Sequence, residues 1–322
     1  MDWRRVALAG SALVALGCSR AKPTGRQQAS ASARPSASAV QYDVLYLPEA
    51  GDRAPSPAPL VVAPAQPPGR AISCPGDMVD IRGQFCIDRY EAVLVDHAQG
   101  RRLSPYYAPS RDATRSAFDL WEKKRLDAGT PLGRTMAITS PPDWQLTQNF
   151  EPRAVSLAGE IPSGYVSGVL ASLACKNAKK RLCTAEEWAT ACRGEKGRKF
   201  PYGDDYVQGR CNVFREAHPA VELHGNASVG HTDPRLNAVE VDGKPLLRRT
   251  GKTPDCRSEW GKDAVFDMVG NLDEWVDDPS GLFLGGFYAR SSKQGCEARV
   301  SAHPPAYFDY SLGVRCCVTP GT

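Results

Sequence analysis

The cysteines constrain this chain more than any other feature. The 322-residue sequence contains eleven cysteines: Cys18, and ten spread between Cys74 and Cys317. None belongs to a C-x-x-C pair, the spacing typical of structural zinc sites, so the pattern favours disulfide bonds over zinc. Disulfides persist in oxidising compartments and are rare in the cytosol. The sequence therefore predicts an exported protein with a disulfide-rich fold.

Residues 1–18 are typical of an export signal. A short basic segment precedes an apolar stretch, residues 6–17, which is too short to cross the ~30 Å hydrocarbon core of a membrane as a helix. It ends in the run ALGC at Cys18, which resembles the lipobox where bacterial lipoproteins are acylated and cleaved. With Cys18 lipidated, an even number of cysteines remains, which favours five disulfides. The alternative is an ordinary signal peptide with an incidental cysteine.

Residues 19–70 are rich in Ala, Ser and Pro and show no sustained hydrophobic period. Such a segment buries too little apolar surface to offset its ordering entropy, so we interpret it as a disordered tether between the membrane anchor and a globular domain at residues 71–322. Ser19, directly after the acylated cysteine, favours the outer membrane by analogy with enteric bacteria. The formal net charge of +4 and the absence of a long basic run argue against a nucleic-acid partner.

The sequence of the globular domain predicts an α+β fold with little regular structure. Alternating apolar residues around a turn at residues 82–84 predict a hairpin, and Cys74 and Cys86 flank that turn. A short helix is expected near 117–126. Residues 97–160 are otherwise expected to form irregular loops, and short strands are expected at 265–268, 283–288 and 313–318.

Two further helices are expected in the middle of the domain. One begins at Pro162, with an apolar face formed by Val166, Val169, Leu170, Leu173 and Ala174. The other begins at Thr184, which forms a capping box with Glu187, because each side chain can satisfy a backbone N–H at the helix start.

Three stretches together resemble the formylglycine-generating enzyme (sulfatase-modifying factor) family. They are KRLCTAEEW at 180–188, DMVGNLDEW at 267–275, and GGFY at 285–288 followed by GVRC at 313–316. Their order and spacing match the family, and FCIDRYEA at 85–92 matches its first strand more weakly. The resemblance implies a fold akin to C-type lectins.

The resemblance also implies two disulfides. Cys175 would pair with Cys316, and Cys192 with Cys296. Cys74–Cys86 is a local inference from the hairpin. The sequence leaves four cysteines without an assigned partner, and one option is Cys211–Cys256 with Cys183–Cys317.

Two calcium sites are implied by the same resemblance. Their ligands would be the carbonyls of Val269, Gly270 and Leu272 with the carboxylate of Glu274, and, in the second site, Asn212 with the carbonyl of Val213. Calcium prefers six to eight oxygen ligands, which a tight loop can supply. The alternative is that Asn271 and Glu274 only hold the loop together by hydrogen bonds.

The family's catalytic cysteine pair, which binds copper(I) and activates oxygen, is not found here. Arg290 stands where the first of these cysteines is expected, and a guanidinium has no lone pair to give to copper. Cys296, the nearby cysteine, has neighbours that mark it as structural. Copper is therefore not expected, and neither is formylglycine synthesis. A metal site among His218, His224 and His231 is a further alternative, but loop histidines are more often solvated.

We therefore interpret the chain as a lipid-anchored protein of the cell envelope. Its domain would be a non-catalytic binding, structural or regulatory module that faces the periplasm or the cell exterior and takes a protein, peptide or glycan ligand. The alternative is an oxidoreductase with altered chemistry in the same groove. The residues expected to contact a ligand in that groove are Tyr288, Arg290, Ser291 and Ser292.

Overall fold

The computed structural model describes residues 73–127 and 129–319. The predicted signal peptide, the tether and Cys18 lie outside the described residues. The domain opens with the expected hairpin, in which β1 (Met78–Ile81) pairs antiparallel with β2 (Phe85–Asp88). Arg82 and Gly83 take positive φ angles of 56° and 67° in the turn, and such angles suit a tight connection between twisted strands.

Short helices connect the sheets. They are α1 (Arg111–Lys124), α2 (Pro131–Thr135), α3 (Asp143–Thr147), α4 (Gly168–Asn177), α5 (Ala185–Arg193) and α6 (Pro219–His224). The capping box predicted at the start of α5 is confirmed, since Thr184 accepts from the backbone N–H of Glu187, whose carboxylate accepts from the backbone N–H of Thr184. None of the helices in the described ranges is both long and apolar enough to span a membrane.

Two helix predictions need correction. The helix expected from Pro162 begins only at Gly168, because Tyr165 takes a positive φ of 60° that a helix excludes. Ser167 caps it by accepting from the N–H of Leu170. Val169 is 57% exposed, so the predicted apolar face is only partly correct, with Ala174 buried and Leu170 packed against the core. The buried face consists of Gly168, Ala171, Ala174 and Cys175.

The region expected to be mostly loop, residues 97–160, contains more helix than the sequence predicted. The helix expected near 117–126 begins earlier, because the side chain of Ser110 accepts from the N–H of Ala113 and caps α1 there. Helices α2 and α3 were not expected. Thr130 caps α2 through the N–H of Gly133.

The remaining strands are short. They are β3 (Ala92–Asp96), β4 (Pro152–Ser156), β5 (Arg181–Leu182), β6 (Glu240–Val241), β7 (Lys244–Pro245), β8 (Arg257–Trp260), β9 (Asp263–Phe266), β10 (Asp273–Trp275), β11 (Phe283–Leu284), β12 (Arg299–Val300), β13 (Leu312–Val314) and β14 (Cys316–Val318). The strand expected at 283–288 ends after Leu284, where Gly285 takes a φ of 98°. The strand expected at 313–318 is two strands, separated at Arg315.

Two four-stranded sheets organise the domain. The first has the order β1-β2-β14-β5, and the second the order β12-β11-β10-β13. Strands β10 and β13 are parallel, whereas the other pairs in both sheets are antiparallel. Because β13 and β14 follow each other closely along the chain, residues 312–318 connect the two sheets and hold them side by side.

Five disulfides cross-link the domain. They are Cys74–Cys86, Cys175–Cys316, Cys183–Cys317, Cys192–Cys296 and Cys211–Cys256. The pairs implied by the family resemblance and the hairpin are present, and the other four cysteines adopt the option that the sequence left open. All ten cysteines of the described residues are therefore oxidised.

Candidate functional site

Two glycines shape the loop that carries the predicted groove residues. Gly285 and Gly286 take φ angles of 98° and 75°, which other residues rarely adopt. A side chain at Gly285 would lie 2.8 Å from the carbonyl oxygen of Met268 and 3.1 Å from the ring of Trp188. The chain can therefore turn here only with glycine, and it then leads directly to Arg290.

Arg290 is fixed by a buried carboxylate. Its Nη2 donates to Oδ2 of Asp273 at 2.6 Å, and its Cζ lies 5.2 Å from the centre of the Phe287 ring. The other oxygen of Asp273 accepts from the N–H of Gly286 at 2.9 Å. Burial raises the pKa of Asp273, and Arg290 partly offsets that rise. Burial alone would lower the pKa of Arg290, but Asp273 outweighs it and raises the pKa, so this side chain stays charged.

The four predicted groove residues differ in their access to solvent. Tyr288 is fully buried, and its hydroxyl donates to Oδ1 of Asn237 at 3.0 Å. It is therefore out of reach of a ligand, and its predicted contact with a ligand needs correction. Ser291 is exposed, Ser292 is half-buried, and Arg290 keeps 29% of its side-chain surface exposed. These three residues are accessible to a ligand.

Histidines and tyrosines surround this loop, but not in the combination suggested by the sequence. The rings of His218 and His231 lie 6.2 and 5.9 Å from the ring of Tyr310. His303 stacks on Tyr307 at 3.9 Å, and burial lowers its pKa. Within the described ranges, no group of three or more His, Cys, Asp or Glu side chains is arranged to hold a metal ion.

His224, the third histidine considered from the sequence, lies in a different environment. Its Nε2 is 3.1 Å from Oδ2 of the buried Asp233, and its ring packs 5.2 Å from that of Trp121. His224 lies seven residues before His231, yet the two rings have different partners, Asp233 and Trp121 for His224 and Tyr310 for His231. Proximity along the chain is therefore a poor guide to which histidines lie together. The aromatic-rich segment 306–310 is the better indication of where His218 and His231 pack.

The two predicted calcium sites come together in one region. The backbone N–H of Asn271 donates to the carbonyl of Asn212 at 2.8 Å, and Nδ2 of Asn212 donates to Oδ1 of Asn271 at 2.9 Å. Oδ1 of Asn212 in turn accepts from the guanidinium of Arg215 at 3.2 Å. The oxygen expected to bind calcium thus lies next to a positive charge.

Glu274 has similar partners. Its carboxylate accepts from Arg315 at 2.8 Å and from the indole N–H of Trp188 at 2.7 Å, and all three side chains are buried. A calcium ion at Glu274 would have to displace Arg315. As arranged, these side chains fit the hydrogen-bonding alternative and do not fit calcium coordination.

Two further buried carboxylates lie near this ion pair. Glu91 accepts from the side-chain amide of Asn271 and from the N–H of Leu272, and Asp267 accepts from the N–H of Gly251. Burial, followed by the neighbouring carboxylates, raises the pKa of Glu91. Asp267 and Glu274 belong to one sequence motif, but no local pattern links them to Glu91, which lies 180 residues before Asn271.

Comparison with known proteins gives a consistent family match. A family model described as "Sulfatase-modifying factor enzyme 1-like domain" matches residues 82–320, which is most of the chain. Among curated proteins, no match was found.

Solved structures with similar backbones share little sequence with this chain. The Major Tropism Determinant I1 variant is 13% identical with a TM-score of 0.39, and the match covers 77% of this chain and 54% of that one. The chain thus spans about half the length of that protein. CarF is 13% identical with a TM-score of 0.35, covering 73% of this chain and 86% of that one. PvdO from Pseudomonas aeruginosa is 13% identical with a TM-score of 0.34, covering 73% and 80%.

Proposed function

Since the chain belongs to the sulfatase-modifying factor enzyme 1-like family, we propose that it is a lipid-anchored member in which the family domain binds a partner instead of catalysing an oxidation. The domain has the α+β, C-type-lectin-like fold that this membership implies. Its five disulfides indicate an oxidising, extracytoplasmic environment. The lipid anchor on Cys18 and a position at the outer membrane are parts of the proposal.

The observation that carries the proposal is the ion pair between Arg290 and Asp273. It occupies the position where the resemblance places the first catalytic cysteine. Cys296, the next cysteine along the chain, is bonded to Cys192. With every cysteine of the described residues in a disulfide, no thiolate is available to bind copper(I), a soft ion that prefers sulfur ligands. This arrangement supports a loss of the family's oxidase chemistry.

The loop that carries Arg290 has features suited to binding. Arg290 is held in place by a buried partner, and Ser291 and Ser292 lie at the surface beside it. A guanidinium whose orientation is already fixed loses little conformational entropy on binding. The ligand proposed for this loop is a protein, peptide or glycan of the cell envelope.

The thiol content of the protein tests the non-catalytic proposal. The purified full chain is treated with iodoacetamide without reductant, and its intact mass and bridged peptides are then measured. We expect no alkylation of the ten cysteines of the domain and a Cys192–Cys296 peptide. We also expect no oxidation of a cysteine-containing peptide when copper(I) and oxygen are added. An alkylated Cys296, or turnover of the peptide, would contradict the proposal.

The anchor is tested separately. The wild-type chain and a Cys18→Ser variant are expressed in a bacterial host and partitioned between detergent and aqueous phases of Triton X-114. Acylated protein is expected in the detergent phase, because each buried CH₂ of an acyl chain contributes about 0.8 kcal/mol. The Cys18→Ser variant is expected to lose this preference. Equal partitioning of the two proteins would contradict lipidation at Cys18.

A further inference from the structure

A pocket of about 220 Å³ lies away from the Arg290 loop, beside the end of α5 and the start of β8. We call it the basic pocket. Its positively charged side chains are Arg193, Lys196, Arg198, Arg210 and Arg257, and its negatively charged side chains are Glu195, Asp255 and Glu259. Positive charges are therefore in excess within a small volume.

Most of the carboxylates at the basic pocket already have partners. Asp255 lies 3.4 Å from Arg210, and Glu259 lies 3.6 Å from Arg257. Glu195 accepts from the backbone N–H of Gly261 at 2.8 Å. Asp255 and Glu259 are thus paired with two of the cations, and among the described residues that line the pocket Glu195 is the one carboxylate whose charge is left to face Lys196 and Arg198.

Arg193 also has a partner, which lies outside the lining of the pocket. Its guanidinium is 3.2 Å from the carboxylate of Glu297. Within residues 73–127 and 129–319, no carboxylate lies within ion-pairing distance of Lys196 or Arg198. Arg198 instead donates through Nη1 to the carbonyl of Tyr202 at 2.8 Å. This contact orients its guanidinium and leaves its other N–H groups for a ligand.

Disulfides hold the cations of the basic pocket close together. Arg193 follows Cys192, which is bonded to Cys296. Arg210 precedes Cys211 and Arg257 follows Cys256, and these two cysteines are bonded to each other. The like charges therefore cannot separate by a simple backbone movement, so an anion that enters meets donors already in place.

We propose that the basic pocket binds a phosphate or sulfate group. Guanidinium groups match the geometry of such tetrahedral oxyanions, because they can donate two parallel hydrogen bonds, and lysine adds a compact charge. The volume leaves space for the alcohol that the oxyanion esterifies. The group can belong to a soluble phosphate or to the headgroup of a lipid, and both sources share this chemistry. The inference does not depend on the function proposed for the Arg290 loop.

Thermal unfolding of the full-length protein tests the proposal. Three proteins are compared: the wild type, a pocket variant with Lys196→Gln and Arg198→Gln, and a control variant with Lys123→Gln and Arg125→Gln at the C-terminal end of α1. Both variants lose two positive charges at the same spacing. Each protein is measured in sodium phosphate, sodium sulfate and sodium chloride at equal ionic strength, so the general stabilisation by phosphate and sulfate is common to all three.

Phosphate and sulfate are expected to raise the Tm of the wild type and the control variant about 3 °C more than that of the pocket variant. To distinguish a soluble phosphate from a lipid headgroup, the Tm is also measured with dihexanoyl-phosphatidylglycerol below its critical micelle concentration. Dihexanoyl-phosphatidylcholine is the control. A shift with inorganic phosphate alone supports a soluble phosphate, and a shift with phosphatidylglycerol alone supports a lipid headgroup. Equal shifts in all three proteins, or no shift with any probe, would overturn the proposal.

Discussion

Two regions of the domain are held together by different means. The stapled region, residues 74–96 and 175–317, contains all ten described cysteines and is cross-linked by five disulfides. The helical segment, residues 103–147, contains α1, α2 and α3 and has no cysteine. Both regions have short elements and long connections, so neither can rely on regular backbone hydrogen bonding alone.

Buried polar side chains replace disulfides in the helical segment. Gln145 is fully buried; its Oε1 accepts from the N–H of Ser104 at 2.8 Å, and its Nε2 donates to the hydroxyl of Thr114 at 3.1 Å. One side chain thus connects α3, α1 and the segment before α1. A buried amide with its hydrogen bonds satisfied specifies one arrangement of these elements.

Arg235 attaches the helical segment to the remainder of the domain. Its Nη1 donates to the carbonyls of Gly133 and Met136, and its other nitrogens donate to the carboxylate of Asp233. The chain thus uses disulfides where strands that are distant in sequence come together. It uses charged hydrogen-bond networks to hold the helical segment against the remainder of the domain.

Reduction of the disulfides is expected to have the largest effect. Each native bridge typically stabilises by ~2–4 kcal/mol, so five of them together contribute about as much as the ~5–15 kcal/mol of net stability of an ordinary domain. Treatment with dithiothreitol should therefore unfold both regions, as measured by far-UV circular dichroism and by alkylation of all ten cysteines. Native ellipticity with all ten cysteines alkylated would show that the domain keeps its fold without the disulfides.

An Arg235→Met variant is expected to lose about 3–5 kcal/mol of stability, because it leaves Asp233 buried without its guanidinium partner. Urea denaturation measures this loss. Hydrogen exchange should accelerate at residues 129–136 before it does so in the stapled region. Arg115→Met is the matched control, since Arg115 forms only an exposed pair with Asp119 at 3.9 Å and should cost less than about 0.5 kcal/mol. Equal losses in the two variants would refute the docking role.

The two regions are also expected to differ in pH dependence. Burial raises the pKa of Asp88, in the stapled region, from 3.8 to about 6, although Lys180 partly offsets the rise. The folded state then binds a proton more tightly than the unfolded state does. The free energy of unfolding should therefore rise as the pH falls from about 6 to about 4, by roughly 3 kcal/mol from this group.

Asp233 lies within residues 175–317 but pairs with Arg235, which holds the helical segment, and its pH dependence has the opposite sign. Burial alone would raise its pKa, but hydrogen bonds from His224 and Arg235 outweigh burial and lower it. The stability that Asp233 contributes to the folded state is therefore lost as the pH falls through the lowered pKa of its carboxyl group in that state. Urea denaturation of the wild type and an Asp88→Asn variant at pH 7, 5 and 4 separates the two effects. The same pH slope in both proteins would exclude Asp88 as the source.

A Gln145→Leu variant is expected to have the smallest of these effects, about 1–3 kcal/mol, because it leaves the N–H of Ser104 buried without a partner. Gln148→Leu is the control: Gln148 lies directly after α3, is exposed, and its side chain accepts a solvent-exposed hydrogen bond from Arg101 at 2.9 Å. The Tm of the first variant should fall clearly and that of the second should barely change. A similar Tm for both variants would mean that the Gln145 contacts do not hold α3 against α1.

The same contrast explains how much the sequence could predict. In the stapled region, the hairpin, the capping box at Thr184 and the family motifs are local patterns, and they lead to the correct elements. In the helical segment, the decisive contacts join residues far apart along the chain, such as Arg235 and Gly133 at a separation of 102 residues. No periodicity marks such contacts, so α2 and α3 were missed.

The candidate site was predicted only in part, for a related reason. The position of Arg290 follows from the motif order, whereas its ion pair with Asp273 depends on how β10 packs beside the loop. The burial of Tyr288 likewise depends on Asn237, which lies 51 residues earlier. His303 lies near the site because residues 303–310 pack against the loop that carries Arg290, where the ring of Tyr310 contacts that of Phe287. No spacing pattern in the sequence predicts this packing.

The adjacent cysteines of β14 have a consequence for the biogenesis of the protein. Cys316 and Cys317 side by side are bonded to Cys175 on α4 and to Cys183 after β5. In a chain exported as we propose, neither bridge can form until residues 316 and 317 have followed, so Cys175 and Cys183 reach the oxidising compartment before their partners do. Because the two late cysteines are neighbours, each can also capture the wrong early partner. Correct maturation in the cell should therefore depend on a disulfide isomerase as well as on an oxidase.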